Sequence, residues 1–142
     1  MENIFEGKGM IINNLRHLTA KEAYDCCQNG AVIIDVREEF MSSVKTFDVP
    51  EIKIFPLKKL SKQITNLPND KYLVFADATG VKSKPAMEFA HEEGYTKIAN
   101  LAGGLVEWER DGMPVITYKN LLVSSRNKCE FIDKNSSKNN YI

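Results

Sequence analysis

The segment Asp77-Ala78-Thr79-Gly80-Val81-Lys82-Ser83 places a carboxylate, two hydroxyls, an ammonium and a glycine between an apolar run and the start of a helix. A carboxylate there can do two kinds of chemistry. As a nucleophile in phosphoryl transfer it wants a second carboxylate close by to hold magnesium, and Asp77-Ala78-Thr79 supplies none. As a fixed anion it accepts hydrogen bonds from loop amides and from the positive end of the following helix. The second role suits these residues better. Lys82 offers a positive charge to an external anion, or simply solvates a turn. Asp35 and Arg37 form a second pair, suited either to orienting a ligand at a strand end or to tying loops together as an ion pair.

The thiols offer less. Cys26, Cys27 and Cys129 are odd in number, two are adjacent, and their spacing suits neither a disulfide framework nor a metal. A reducing cytoplasm is the expected compartment. Cys27 shares a helical stripe with Ala20 and Tyr24 and reads as core, whereas Cys26 points about 100° away around the helix. Cys129 sits in a polar stretch as an exposed thiol able to swing toward a sulfur donor, without fixed surroundings to lower its pKa. His17 and His91 lack partners at metal or catalytic-pair spacing and read as surface histidines. No metal and no cofactor is expected.

These residues need elements to position them. Thr19-Ala20-Lys21-Glu22 has the capping-box pattern and Asn29-Gly30 a left-handed stop, predicting a helix over 20–29. Ala31 to Val36 is apolar without alternation until Asp35, as expected of a parallel strand buried on both faces. Ile52 to Phe55 predicts a short strand. Leu57, Leu60, Ile64 and Leu67 trace a helix stripe that ends before Pro68. Tyr72 to Phe75 predicts a core strand, Pro85 to Gly94 a helix, Lys97 to Leu101 another strand, and Trp108 with Leu105 and Val106 anchors a last helix to the core. Alternating strands and helices predict an α/β domain with a mostly parallel, five-stranded sheet covered on both faces. Ligands collect beyond the carboxyl ends of such strands, which puts Asp35, Arg37 and the 77–83 loop on one edge.

A chain of 142 residues with a formal charge of +0 and 43% hydrophobic residues fits one domain with a sizeable core. The expected domain covers 10–115, followed by an extension over 116–142 that packs to about 123 and is polar and mobile beyond it. Within the extension, Ile116, Tyr118 and Leu121 to Val123 could pack against a second copy as a homodimer contact. Balanced charge removes the footprint of nucleic-acid binding, and Lys58, Lys59 and Lys62 read as a solvated helix face. The start lacks a secretory leader and no run is long enough to span a membrane, so no membrane partner is expected.

Thr19 to Gly30, Ile34-Asp35-Val36-Arg37-Glu38, the loop before Ser83, and Asn100-Leu101-Ala102-Gly103-Gly104-Leu105-Val106-Glu107-Trp108 with Asp111-Gly112-Met113-Pro114 together resemble the rhodanese-like domain, over about residues 17–115. Active members of that family are sulfurtransferases in which a cysteine opening a Cys-x-x-Gly-x-Arg-Ser loop holds sulfur as a persulfide. Counted back from Gly80, the cysteine position is Asp77, the arginine position Lys82 and the serine position Ser83. In the one-residue-longer loop of phosphatases of this fold it falls on Ala76 instead. Neither register supplies a thiol. Phe47-Asp48-Val49-Pro50-Glu51-Ile52 also departs from the His-Ile-Pro-Gly-Ala of many members.

The resemblance therefore implies a domain that has lost sulfur transfer and serves as a binding or regulatory module, with a protein or a small anion as its partner. The alternative is a sulfurtransferase using Cys129 or a cysteine from a partner chain.

Overall fold

The computed structural model describes residues 3–117. Tyr118, Leu121, Leu122, Val123 and Cys129, with the rest of the expected extension, lie outside the described residues. The chain runs β1 (Met10–Ile12), β2 (Leu15–Leu18), α1 (Ala20–Gln28), β3 (Val32–Asp35), α2 (Glu39–Val44), β4 (Lys45–Phe47), β5 (Ile52–Ile54), α3 (Leu57–Gln63), β6 (Leu73–Ala76), α4 (Ser83–Glu92), β7 (Ile98–Leu101), α5 (Gly104–Arg110) and β8 (Val115–Thr117). A turn of 3-10 helix, Ile64–Asn66, extends α3.

The central sheet has six strands in the order β1-β2-β7-β6-β3-β5, not the five expected. Every neighbouring pair is parallel except β1 with β2. The additional edge is a hairpin closed by Asn13 and Asn14, both left-handed at φ 53° and 66°. Asparagine tolerates that region, and two such residues match the twist of a two-residue hairpin. A second ribbon pairs β4 with β8 antiparallel, Lys45 opposite Thr117 and Phe47 opposite Val115. The expected boundary at 115 thus falls at the first residue of a strand.

Alternation along the strands separates two apolar layers, because successive side chains leave opposite faces of a sheet. Leu18, Ile33, Val74, Ala76, Ala99 and Leu101 meet Ala23, Cys27, Leu105 and Trp108 from α1 and α5. Val32, Ile34, Leu73, Phe75 and Ile98 meet Leu60, Ala86, Met87 and Ala90 from α3 and α4. The central strands β3, β6 and β7 are buried on both sides because helices cover both faces. The capping box at Thr19 is formed, its hydroxyl accepting from the Glu22 amide while the Glu22 carboxylate accepts from the Thr19 amide.

Trp108 is fully buried, donates from Nε1 to the Pro114 carbonyl at 2.7 Å, and meets Phe47 edge-on at 5.1 Å between centroids. It locks α5 to the β4–β8 ribbon. Val106, expected to share this role, is 57% exposed on the other side of α5. Cys26 is as buried as Cys27, since the chain near Ile4 covers the face of α1 that the sheet does not, and its thiol reaches the Ile4 carbonyl at 3.5 Å. Lys58 and Lys59 lie in loose ion pairs with Glu38 and Glu39 at 3.5 and 3.6 Å, as suits a solvated face.

Candidate functional site

The parallel strands deliver three chain segments to one edge. Asp35 ends β3 opposite Ala76 of β6, so the loops following these strands start side by side. The chain leaving β7 turns at Gly103 and enters α5 alongside them.

Asp77 is the first residue after β6 and is 4% exposed. Its carboxylate turns back into its own loop. Oδ1 accepts from the Gly80 amide, and Oδ2 accepts from the Lys82 amide at 3.0 Å. The Ser83 hydroxyl lies 3.2 Å from Oδ1 and 2.6 Å from Oδ1 of Asn100. Lys82 caps the N-terminus of α4, so the negative charge sits where the helix macrodipole favours it. Ala76, the other register considered, is the last residue of β6 and packs in the core between the sheet and α5.

The loop's shape is fixed from outside. The Asp77 and Ala78 carbonyls accept from the Leu105 and Val106 amides at 2.9 Å each, which satisfies the start of α5. This approach requires glycine: a Cβ on Gly104 would lie 2.5 Å from the Ala78 carbonyl, and one on Gly80 would lie 2.8 Å from the Gly103 amide. Gly104 is the notch for the loop backbone, and Gly103, at φ 80°, supplies the left-handed turn before it. Thr79, Val81 and the Lys82 side chain face outward and are exposed.

Asp35 and Arg37 form a separate, closed unit. The guanidinium meets the carboxylate through two nitrogens, Nε to Oδ1 at 3.0 Å and Nη2 to Oδ2 at 2.8 Å, with both side chains buried. Ser42 of α2 donates to Asp35 Oδ2 at 2.8 Å, and Arg37 Nη2 donates to the Lys45 carbonyl at 2.8 Å. These bonds tie α2 and β4 to the end of β3. Beside the unit opens a groove of about 330 Å³, lined chiefly by apolar atoms of Phe40, Met41, Val44, Ala78, Leu105 and Val106.

Two participants escape a reading of the sequence. Asn100, quoted there only within a motif, is buried and joins Ser83 to His17, whose Nδ1 lies 3.3 Å from its Nδ2. His17 is accordingly a half-buried member of this network rather than a surface histidine. Its pKa is lowered by burial and then by the Lys84 charge, with Glu88 acting the other way. The described cysteines are remote from thiolate chemistry: burial pushes Cys26 up to about 11 and Cys27 up to about 12. No group of three or more His, Cys, Asp or Glu side chains among the described residues is arranged to hold a metal, and no described helix is long and apolar enough to cross a membrane.

The arrangement binds an anion on backbone amides at a helix N-terminus, and the anion it binds is its own side chain. Comparison with known proteins gives this geometry a context. A family model for the rhodanese-like domain matches residues 19–111. A sulfurtransferase of Allochromatium vinosum is 24% identical over 85 residues, covering 60% of this chain and 78% of that protein. The tRNA sulfurtransferase of Shewanella pealeana is 38% identical over 84 residues, covering 57% of this chain and 17% of that larger protein. Among solved structures, a rhodanese-related protein from Thermoplasma volcanium superposes with a TM-score of 0.64 at 27% identity, over 71% of this chain and 97% of that one.

Proposed function

The chain belongs to the rhodanese-like domain family, and from that premise we propose that it is a member without thiol-based sulfur transfer, acting as a binding or regulatory module. The observation that carries this reading is the Asp77 carboxylate seated on the Gly80 and Lys82 amides. A persulfide needs a polarisable thiolate held by such donors, and a carboxylate there has no sulfur to carry while it occupies them. Asp77 rather than Ala76 is the position facing the amides, which favours the shorter register. Ala78, Thr79, Gly80, Val81, Lys82 and Ser83 form the remainder of the site, and Asp35 with Arg37 supports it from the next strand.

The partner we assign is a protein meeting the apolar groove beside the loop, where Phe40, Met41, Val44 and Val106 are exposed. Contiguous exposed apolar side chains mark interaction surfaces. A small anion is the alternative ligand, admitted only where Asp77 gives way. The module is placed in the cytoplasm, without nucleic acid or membrane as partner and without a cofactor. The contact between two copies through the extension belongs to the same proposal, with Ile116 itself half-buried in β8 against β4 of its own chain.

The second reading, sulfur transfer through Cys129 or a partner chain's cysteine, is favoured by the sulfurtransferases among the relatives. Incubation with thiosulfate followed by intact mass, with and without reductant, separates the two. The expected result is no added sulfur and no conversion of thiosulfate and cyanide to thiocyanate. A reducible gain of one sulfur on Cys129 would falsify the proposal. Asp77→Cys provides the converse test: a thiol with depressed pKa is expected on the vacated amides, and a sluggish, ordinary thiol would show that the loop no longer suits a thiolate.

A further inference from the structure

The Ser83 hydroxyl has one proton and two acceptors in reach, Asn100 Oδ1 at 2.6 Å and Asp77 Oδ1 at 3.2 Å. It can serve only one of them fully. The shorter distance assigns the proton to Asn100. At its other end the Asn100 amide donates to His17 Nδ1, which accepts only while unprotonated. Neutral His17 therefore carries its proton on Nε2, and the atom that must take the next proton is the one facing Asn100. Once Nδ1 is protonated, two donors oppose each other. A half-turn of the carboxamide resolves this, presenting Oδ1 to the imidazolium and Nδ2 to Ser83 Oγ. The Ser83 proton is then left with the Asp77 carboxylate as its acceptor.

We propose that His17, Asn100 and Ser83 form a reversible hydrogen-bond relay whose direction decides whether the Ser83 hydroxyl serves Asn100 or the loop carboxylate. The inference rests on the reading of Asp77 as the loop's internal anion and adds a control on it. One proton moves from solvent to His17 Nδ1; none is transferred to Asp77, which gains a third donor beside Gly80 and Lys82. Asp77, Ser83 and Asn100 are buried, so water does not compete for these bonds and the amide has two defined settings. The charged groups acting on the His17 ring both lie on α4: Lys84 opposes its protonation and Glu88 favours it. The flanking strands β1 and β7 carry no charge. Burial and Lys84 keep the ring neutral to below its ordinary value of 6.5, so the reversal belongs to mildly acidic conditions. Opening the site to an external anion should be harder in that state, because Asp77 is then held by more donors.

The test follows the His17 ring and the Gly80 and Lys82 amides by NMR from pH 8 to 5 on the full chain, with exposed His91 as a spectator. Both loop amides are expected to move with the midpoint of His17. In Ser83→Ala the ring should still titrate while the amides lose that inflection. In His17→Gln, which keeps a polar partner for Asn100 without a titrating one, they should lose it as well. Amides silent at the His17 midpoint in the parent would overturn the relay, as would an inflection persisting in either variant. Persulfide formation on the chain would sink the proposed function and leave this titration standing, so the two readings fail separately.

Discussion

Two buried carboxylates stand at the ends of adjacent strands and are held in opposite ways. Asp35 is matched by a full positive charge, the Arg37 guanidinium, through paired bonds of 2.8 and 3.0 Å. Asp77 has no such partner among the described residues and rests on two backbone amides at the end of a helix, with the Ser83 hydroxyl 3.2 Å away. The first arrangement consumes its charge in tying α2 and β4 to the sheet. The second needs a backbone already shaped to receive an anion, whichever anion that is. In the site proposed above, position 77 therefore carries the site character, and position 35, with Arg37, the supporting role expected of it from the sequence.

The largest effect expected is from Arg37→Ala. It leaves the Asp35 carboxylate buried and unpaired, a loss of about 3–5 kcal/mol in unfolding free energy by denaturant titration. Asp77→Ala should lower stability by only roughly 1–3 kcal/mol, the range for removing one partner of buried hydrogen bonds. Equal losses at the two positions would break the comparison. Lys45→Ala removes a pair with Glu109 at 2.7 Å in which both side chains are partly exposed, and should change stability by less than about 1 kcal/mol. A loss as large as that of Arg37→Ala would show that the β4 end depends on surface charge rather than on the guanidinium.

The smallest effect concerns His17. Its folded pKa lies below the unfolded value, so the unfolded state binds more protons between the two. Its contribution to stability is complete above about 6.5 and is lost as the pH falls through the folded value. His17→Gln should therefore flatten the fall in melting temperature between pH 7 and 5. A steeper fall in that variant would reverse the assigned sign.

The sequence carried the centre of this fold further than its margins. β3, β6 and β7 were legible because burial on both faces leaves runs that are apolar but for Asp35 and Asn100, and α1 because Thr19 and Glu22 announce its start. The β1–β2 hairpin, α2 and the β4–β8 ribbon were not. Their strands are three or four residues long, too short to show a period, and α2 buries none of its side chains. The one local signal at that margin is the Asn13-Asn14 pair, whose residue type suits the left-handed turn it forms. At the site, the 77–83 loop stood out because its residue types are unusual after a core strand. The link from Ser83 to His17 did not, since Asn100 and His17 lie 83 positions apart and meet only through the pairing of β2 with β7. The burial of Cys26 does not follow from its angle around α1, which says nothing of the N-terminal residues that come to lie over it.

The glycine notch at Gly104 bears on how such a domain can change occupation. Main chain presses on main chain there, with Leu105 and Val106 gripping the carbonyls of Asp77 and Ala78. No side chain of the loop takes part in that grip. Whatever residue stands at 77 meets a setting made by main chain, and a change at that one codon leaves the surrounding masonry as it was.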